Sequence, residues 1–207
     1  MLAQDPNSHN LGTTVWDASI VLAKYLEKNA KKGAFSKAHV QNKRAIELGA
    51  GISGLAGMCL ALMGANVVMT DITSKVLDLL TQNVEYNLSP ASLRLNSGIS
   101  ECGETDVQEL DWANPDHIAR FNPPIDFIVA ADCVYNEASV AIFLDTILAL
   151  WGPRTVGAIC NEFRSESVHS EFQKQFSERF TIKKVATSKM NKEYCHPLIH
   201  IYILKLK

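Results

Sequence analysis

The sequence predicts an α/β fold: a Rossmann-like, seven-stranded, mostly parallel sheet that ends in an antiparallel C-terminal hairpin. Three observations carry this. Short apolar runs alternate with helix-periodic stretches along most of the chain. A glycine turn, Gly49-Ala50-Gly51-Ile52-Ser53-Gly54, joins the first apolar run to a helical one. Residues 181–186 and 198–206 each alternate apolar and polar, with no room between them for a crossover helix.

The 207 residues are 47% hydrophobic, enough for one α/β core and little more. Residues 1–12 are polar and read as a flexible N-terminal segment, with a single domain over 13–207. Residues 16–27 set Trp16, Ile20, Ala23 and Leu26 near helical spacing, and Gly33 lies in the polar segment that ends this helix. Residues 44–48 form a strand that stops at the glycine turn, and 53–63 a helix containing small residues. Residues 66–70 form a second strand, apolar at Val67, Val68 and Met69 and ending at Asp71, followed by an amphipathic helix over 74–88. Residues 89–106 hold Pro90, Ser92, Ser97, Gly98, Ser100 and Gly103 and read as a loop with one short strand. Residues 107–112 complete a strand end. The run 125–131 is nearly continuous in apolar residues between Pro123-Pro124 and Asp132, as in a parallel strand buried on both faces. A helix over 139–151, a buried strand over 155–160 and a helix over 168–180 follow, the last spaced at Val168, Phe172, Phe176 and Phe180.

A net charge of -2 gives no reason to expect nucleic acid. Lys24, Lys28, Lys31, Lys32, Lys37, Lys43 and Arg44 are opposed mainly by Glu27. They read as a solvated face, the alternative being a docking surface for an acidic partner. The first residues lack a signal peptide's basic start and apolar run, and no apolar stretch reaches the ~18 residues of a membrane span, so no membrane partner is expected. The five cysteines (Cys59, Cys102, Cys133, Cys160 and Cys195) are odd in number and scattered, which suits a reducing compartment, the cytoplasm or the nucleus. His196 and His200 are separated by Pro197 and a β-rich run, so no metal site is expected. A monomer is expected.

The glycine turn has the spacing GxGxxG, which permits a tight turn and close approach of a ligand to the backbone. Dinucleotide enzymes use the same spacing. Glu47, two residues before the first glycine, distinguishes this turn. A carboxylate there suits a cofactor with a cationic end, such as the sulfonium and ammonium of S-adenosylmethionine, better than it suits a pyrophosphate. Asp71 lies 20 residues after Gly51, where a carboxylate accepts both hydroxyls of an adenosine ribose; the alternative is an N-cap for the next helix. Trp112 offers a flat face to an adenine, or packs in the core. Trp16 is open to the same two readings. Asp132 and Tyr135 lie just past a buried parallel strand, on the edge where such folds do chemistry. The alternative makes Asp132 a cap for a helix starting near Asn136.

These residues carry a resemblance. The sequence resembles the seven-strand protein lysine methyltransferases, the class I methyltransferases related to the valosin-containing-protein lysine methyltransferase. It does so over 12–27, 46–54, 67–71, 110–112, 126–135 and 199–202, including Val15-Trp16-Asp17 and the Asp-x-x-Tyr motif Asp132-Cys133-Val134-Tyr135. The resemblance implies that Trp16 lines the cofactor pocket, that Gly49, Ala50 and Gly51 contact the methionine part of S-adenosylmethionine, and that Asp71 holds the ribose. It further implies that Trp112 flanks the adenine, that Ala131 abuts the cofactor, and that Asp132 and Tyr135 shape the mouth where a lysine enters. Residues 89–106 depart from the family in being longer and more polar, which suggests a substrate-contacting loop. The implied substrate is a protein lysine, on a chaperone-like ATPase. Other acceptors, or a non-catalytic methyltransferase-like adaptor, are the competing readings, with a nicotinamide enzyme last.

Overall fold

The structure, a computed structural model, describes residues 1–8, 10–97 and 101–207. Helix α1 (Asp17–Lys28) buries Ala18, Val21, Leu22 and Leu26 on one stripe. A short helix α2 (Lys37–Val40) follows and leads into β1 (Arg44–Leu48). Helix α3 (Leu55–Leu62) starts two residues later than its periodicity predicts, because Gly54 is left-handed at φ 51° and stands outside the helix as its N-cap. Strand β2 (Asn66–Asp71) and helix α4 (Ser74–Leu88) lie where the pattern places them.

The expected loop over 89–106 is corrected. Residues 90–97 form helix α5 (Pro90–Ser97). Pro90 opens it, where a missing N–H breaks no intrahelical bond. The Ser89 hydroxyl accepts from the Ser92 N–H at 3.2 Å, and Leu93 is buried. Gly98, Ile99 and Ser100 lie outside the described residues. Strand β3 (Thr105–Glu109) ends earlier than expected and is followed by α6 (Pro115–Ala119), capped by the Asn114 side chain. Strand β4 (Phe127–Ala131) leads to α7 (Glu137–Leu150), where Asn136 caps the Ser139 N–H at 2.8 Å. Strand β5 (Val156–Glu162), helix α8 (Glu166–Arg179) and the hairpin of β6 (Phe180–Lys184) and β7 (Ile199–Leu206) complete the chain.

The seven strands form one sheet in the order β3-β2-β1-β4-β5-β7-β6. All neighbouring pairs from β3 to β5 are parallel, and β7 runs antiparallel to both β5 and β6. Alternate strand residues feed two cores. Phe127, Val129 and Ala158 face the side covered by α1 and α3, while Ile128, Ala130 and Ile159 face α7 and α8. Phe143, Phe172, Phe176 and Phe180 fill the second core. The connection changes direction between β1 and β4, which opens a crevice at their carboxyl ends.

The N-terminal segment, expected as a flexible tail, packs along α4 in its described part. Asn83, almost wholly buried on α4, accepts from the Ala3 N–H at 2.7 Å and donates to the carbonyls of Ala3 at 3.0 Å and Ile52 at 2.8 Å. Lys75 pairs with Asp5, and His9 lies outside the described residues. Part of the basic stretch is committed within the fold. Lys28 donates to the carbonyls of Ser188 and Met190, Lys24 pairs with Glu27 at 2.9 Å, and Arg44 donates to those of Phe121, Asn122 and Pro124.

Replacing Asn83 by Ala strands the Ile52 carbonyl and both backbone groups of Ala3. Chemical denaturation should show a loss of about 1–3 kcal/mol, with faster amide exchange at Ala3. An unchanged midpoint would mean that water replaces the amide without cost.

Candidate active site

The glycine turn leaves β1 with Gly49 and Gly51 both left-handed, at φ 58° and 56°. At Gly49 a Cβ would come within 2.7 Å of the Cys133 sulfur, so the position admits no side chain. Two bonds tie the turn to β2: Ala50 N–H to the Thr70 carbonyl at 2.8 Å, and Gly51 N–H to Asp71 Oδ2 at 3.0 Å. Asp71 is therefore not the N-cap of α4; Thr73 holds that position. Asp71 Oδ1 also accepts from the Ile72 N–H at 2.9 Å. Burial raises the pKa of Asp71, against the N–H groups of Ile72, Gly51 and Thr73. By hydrogen-bond geometry Gly51 donates to one oxygen and Ile72 to the other, which leaves each a lone pair toward the cavity.

A cavity of about 610 Å³ opens beyond the ends of β1, β2 and β4, within the range for a small-molecule site. Gly49, Ala50, Gly51 and Asp71 line it, with Trp112 and Ala131. The Leu110 N–H donates to the Asp71 carbonyl at 2.9 Å and so brings the segment after β3 alongside. Trp112 lies 4.9 Å from Phe143, ring centre to ring centre, and still faces the cavity. Trp16, Asp132 and Tyr135 line it too. Trp16 is 39% exposed, with its indole N–H on the Leu11 carbonyl at 2.9 Å, so it is wall rather than core.

Glu47 does not join this set. It is buried beneath the turn, and its Oε2 accepts from the Gly57 N–H at 2.6 Å. Its side chain therefore faces the start of α3, not the cavity. Burial pushes its pKa up to about 8, against the N–H groups of Gly57 and Ala56 and with help from Asp71. The sequence logic that aimed Glu47 at a cationic ligand is corrected on this geometry. The described residues of the 89–106 segment are also away from the cavity. Gly103, for example, lies against Ala61 and Ala65, before β2 begins.

Asp132 adopts φ 60°, a left-handed conformation uncommon outside glycine but tolerated by Asp. Its N–H donates to the Cys160 carbonyl at 2.7 Å, which holds it there. It does not cap α7; Asn136 does. Its carboxylate receives both arms of Arg164, at 2.9 Å on Oδ1 and 2.6 Å on Oδ2, and the Glu162 N–H at 3.2 Å. Arg164 also meets Glu162 Oε2 at 2.6 Å and lies 5.2 Å from the Trp16 ring. Asp132 raises the Arg164 pKa further, chiefly by hydrogen bonding. Sequence reasoning missed Arg164 and Glu162 because it ended the strand at Cys160. β5 runs to Glu162 and delivers these residues to the edge where Asp132 sits. The signal was a charged pair directly after a buried strand.

The strand order, the antiparallel β7 and the crevice at the carboxyl edge define a class I methyltransferase fold. Solved structures show the same fold. They include the fibrillarin of Aeropyrum pernix with natively bound S-adenosyl-L-methionine (TM-score 0.62, 14% identity, 92% of this chain and 76% of that one). The magnesium protoporphyrin IX methyltransferase ChlM of Synechocystis PCC 6803 with bound SAM is another (TM-score 0.61, 13% identity, 92% and 80%). Residues 1–179 match the family model described as lysine methyltransferase, and the chain belongs to that family. Among its relatives, the protein N-lysine methyltransferase METTL21A of Xenopus tropicalis is 33% identical over 184 residues, 89% of this chain and 75% of that protein. The EEF1A lysine methyltransferase 3 of Xenopus tropicalis is 28% identical over 159 residues, 76% of this chain and 61% of that protein.

Glu47 makes stability depend on pH. The folded chain retains its proton up to about 8, whereas an unfolded carboxyl loses it near 4.5. That contribution is complete at low pH and is lost as pH rises through this window, by at most about 1.4 kcal/mol per pH unit. Glu47→Gln keeps an acceptor for Gly57 and removes the proton. Denaturation midpoints taken at about pH 5 and about pH 8 should fall less in this variant than in the native chain. Equal falls would mean that Glu47 is already ionised in the fold.

Proposed function

We propose that this chain transfers a methyl group from S-adenosylmethionine to a lysine side-chain amine of a protein, with a chaperone-like ATPase as the target class. One observation carries the reading: a single cavity joins Asp71 and the open glycine turn to Asp132 and Tyr135. A nucleoside-binding end and an amine-binding end thus share one wall. Family membership supports a lysine acceptor, and the resemblance to the valosin-containing-protein enzyme supports the target class. The free cysteines support a reducing compartment, the cytoplasm or the nucleus, and we infer a monomer.

The residues fit S-adenosylmethionine. Asp71 would accept the ribose hydroxyls, Gly49, Ala50 and Gly51 would admit the methionine part against bare backbone, and the Trp112 face would flank the adenine. Ala131 is small enough to abut the ligand, and Trp16 would form part of the pocket wall. Bound there, the cofactor supplies a methyl group already activated on a sulfonium. The chain's task is orientation and exclusion of water. Asp132 holds the incoming ammonium, and Tyr135 aims the nitrogen at the cavity. Only the neutral amine attacks, and a lysine's reference pKa is ~10.4, so the proton must leave before transfer, with water as its acceptor in this reading.

The test is radiolabelled methyl transfer to a cell extract, beside calorimetric binding of S-adenosylhomocysteine. Asp132→Ala should lower transfer on the order of a hundredfold or more while cofactor-product binding persists. Asp71→Ala should weaken that binding by about 1–3 kcal/mol, roughly fivefold to 150-fold. Undiminished transfer by Asp132→Ala would refute its role. Binding with no labelled protein would move the acceptor to a small molecule, or the chain to an adaptor.

A further inference from the structure

The carboxylate that should receive the substrate is not vacant. Arg164 forks onto Asp132 with one nitrogen on each oxygen. With the Glu162 N–H, three donors already occupy this carboxylate, which has about four lone-pair positions in all. An incoming ammonium therefore cannot dock fully on Asp132 while Arg164 stays. We propose that Arg164 is an internal stand-in for the acceptor lysine. It holds Asp132 in the free enzyme, and the substrate ammonium exchanges for it. This rests on the lysine methyltransferase reading above.

Three features make the exchange feasible. First, the guanidinium has a second place to go. The Nη2 that meets Asp132 Oδ2 also meets Glu162 Oε2, each at 2.6 Å, and the Trp16 ring lies 5.2 Å away. Arg164 can leave Asp132 and keep an ionic partner and an aromatic face. Second, accessibility is graded. The Asp132 side chain is 5% exposed, whereas those of Arg164 and Glu162 are 35% and 33% exposed. The carboxylate lies at depth and the Arg164–Glu162 pair nearer the surface. Third, the charges do not balance. Asp132 and Glu162 carry two negative charges against one positive, so the cluster has room for one more cation.

The exchange also has a direction. Arginine keeps its proton in the site, whereas a lysine ammonium drawn out of water can lose its own. An ammonium competes with Arg164 for Asp132, and the neutral amine does not. Once the proton has gone to water, Arg164 returns to Asp132 and the freed amine is left facing the cavity. Arg164 thus acts through Asp132, as a positioning residue.

The test uses n-butylammonium, a lysine side chain without its peptide, titrated into the full chain saturated with S-adenosylhomocysteine. Arg164→Gln removes the competitor and should tighten binding about fivefold. Arg164→Lys keeps a cation but not the fork and should fall between the two. Glu162→Gln removes the second place for Arg164 and should weaken binding severalfold. These signs are opposite, and a merely structural role for Arg164 predicts loss in both cases. Unchanged or weaker binding in Arg164→Gln overturns the exchange. If that variant fails to fold, Glu162→Gln decides alone, and unchanged or tighter binding there overturns it. A native chain that binds no S-adenosylhomocysteine would instead reject the methyltransferase reading, and the titration without it would still score the exchange.

Discussion

The hydrogen bond from the Gly51 N–H to Asp71 Oδ2 is the joint on which the rest of the site depends. It fastens the turn after β1 to the end of β2. The Asp71 carbonyl takes the Leu110 N–H from the other side, so one residue aligns three neighbouring strand ends. The spacing of 20 residues between Gly51 and Asp71 has a mechanical meaning here: it is the length of chain that brings one strand's turn back beside the next strand's last carboxylate. Parallel register does the remainder, pairing Glu47 with Met69 and with Val129. The cavity is then the space that left-handed glycines leave above this aligned edge.

Glu47, Asp71 and Asp132 stand at or beneath that edge, and the fold treats each differently. Glu47 is sealed beneath the turn and carries a raised pKa, so its task is to hold the start of α3. Asp71 is largely buried but steadied by backbone N–H groups, with lone pairs open to the cavity. Asp132 is paired with a guanidinium in a strained backbone conformation. Burial sorts the first from the second, and the ion pair sets the third apart. One functional group, the carboxylate, thus meets three different environments: sealed under a turn, held by backbone N–H groups at the cavity wall, and forked by a guanidinium.

Most of the architecture was legible because buried parallel strands write themselves as apolar runs, and amphipathic helices as periodic ones. The failures have local causes. Gly54 delayed α3 by taking a left-handed conformation that no periodicity shows. Pro90 disguised the first turn of α5 as a loop. Within the site, Asp71, Trp112, Asp132 and Tyr135 could be placed on the correct edge from their position after strands. Glu47 could not, because period-two alternation puts a side chain on one face without saying whether a helix already covers that face. Arg164 escaped for a different reason: its partner Asp132 is 32 residues away, and only the adjacency of β4 and β5 brings them together.

The order of strands has a consequence for when the site can exist. β7 follows every other strand in the chain, yet it is inserted between β5 and β6 rather than added at the margin. Until it arrives, β5 has an open edge, and the span carrying Glu162 lacks its pairing to Ile199 and the Phe163 bond to Leu198. The anchor for Arg164 is therefore among the last parts to acquire a fixed shape. A growing chain can assemble the Gly51–Asp71 half of the crevice early, while the Asp132–Arg164 half waits for the closing strand. Synthesis itself would then separate the two, and an unfinished chain would carry one wall of the crevice without the other.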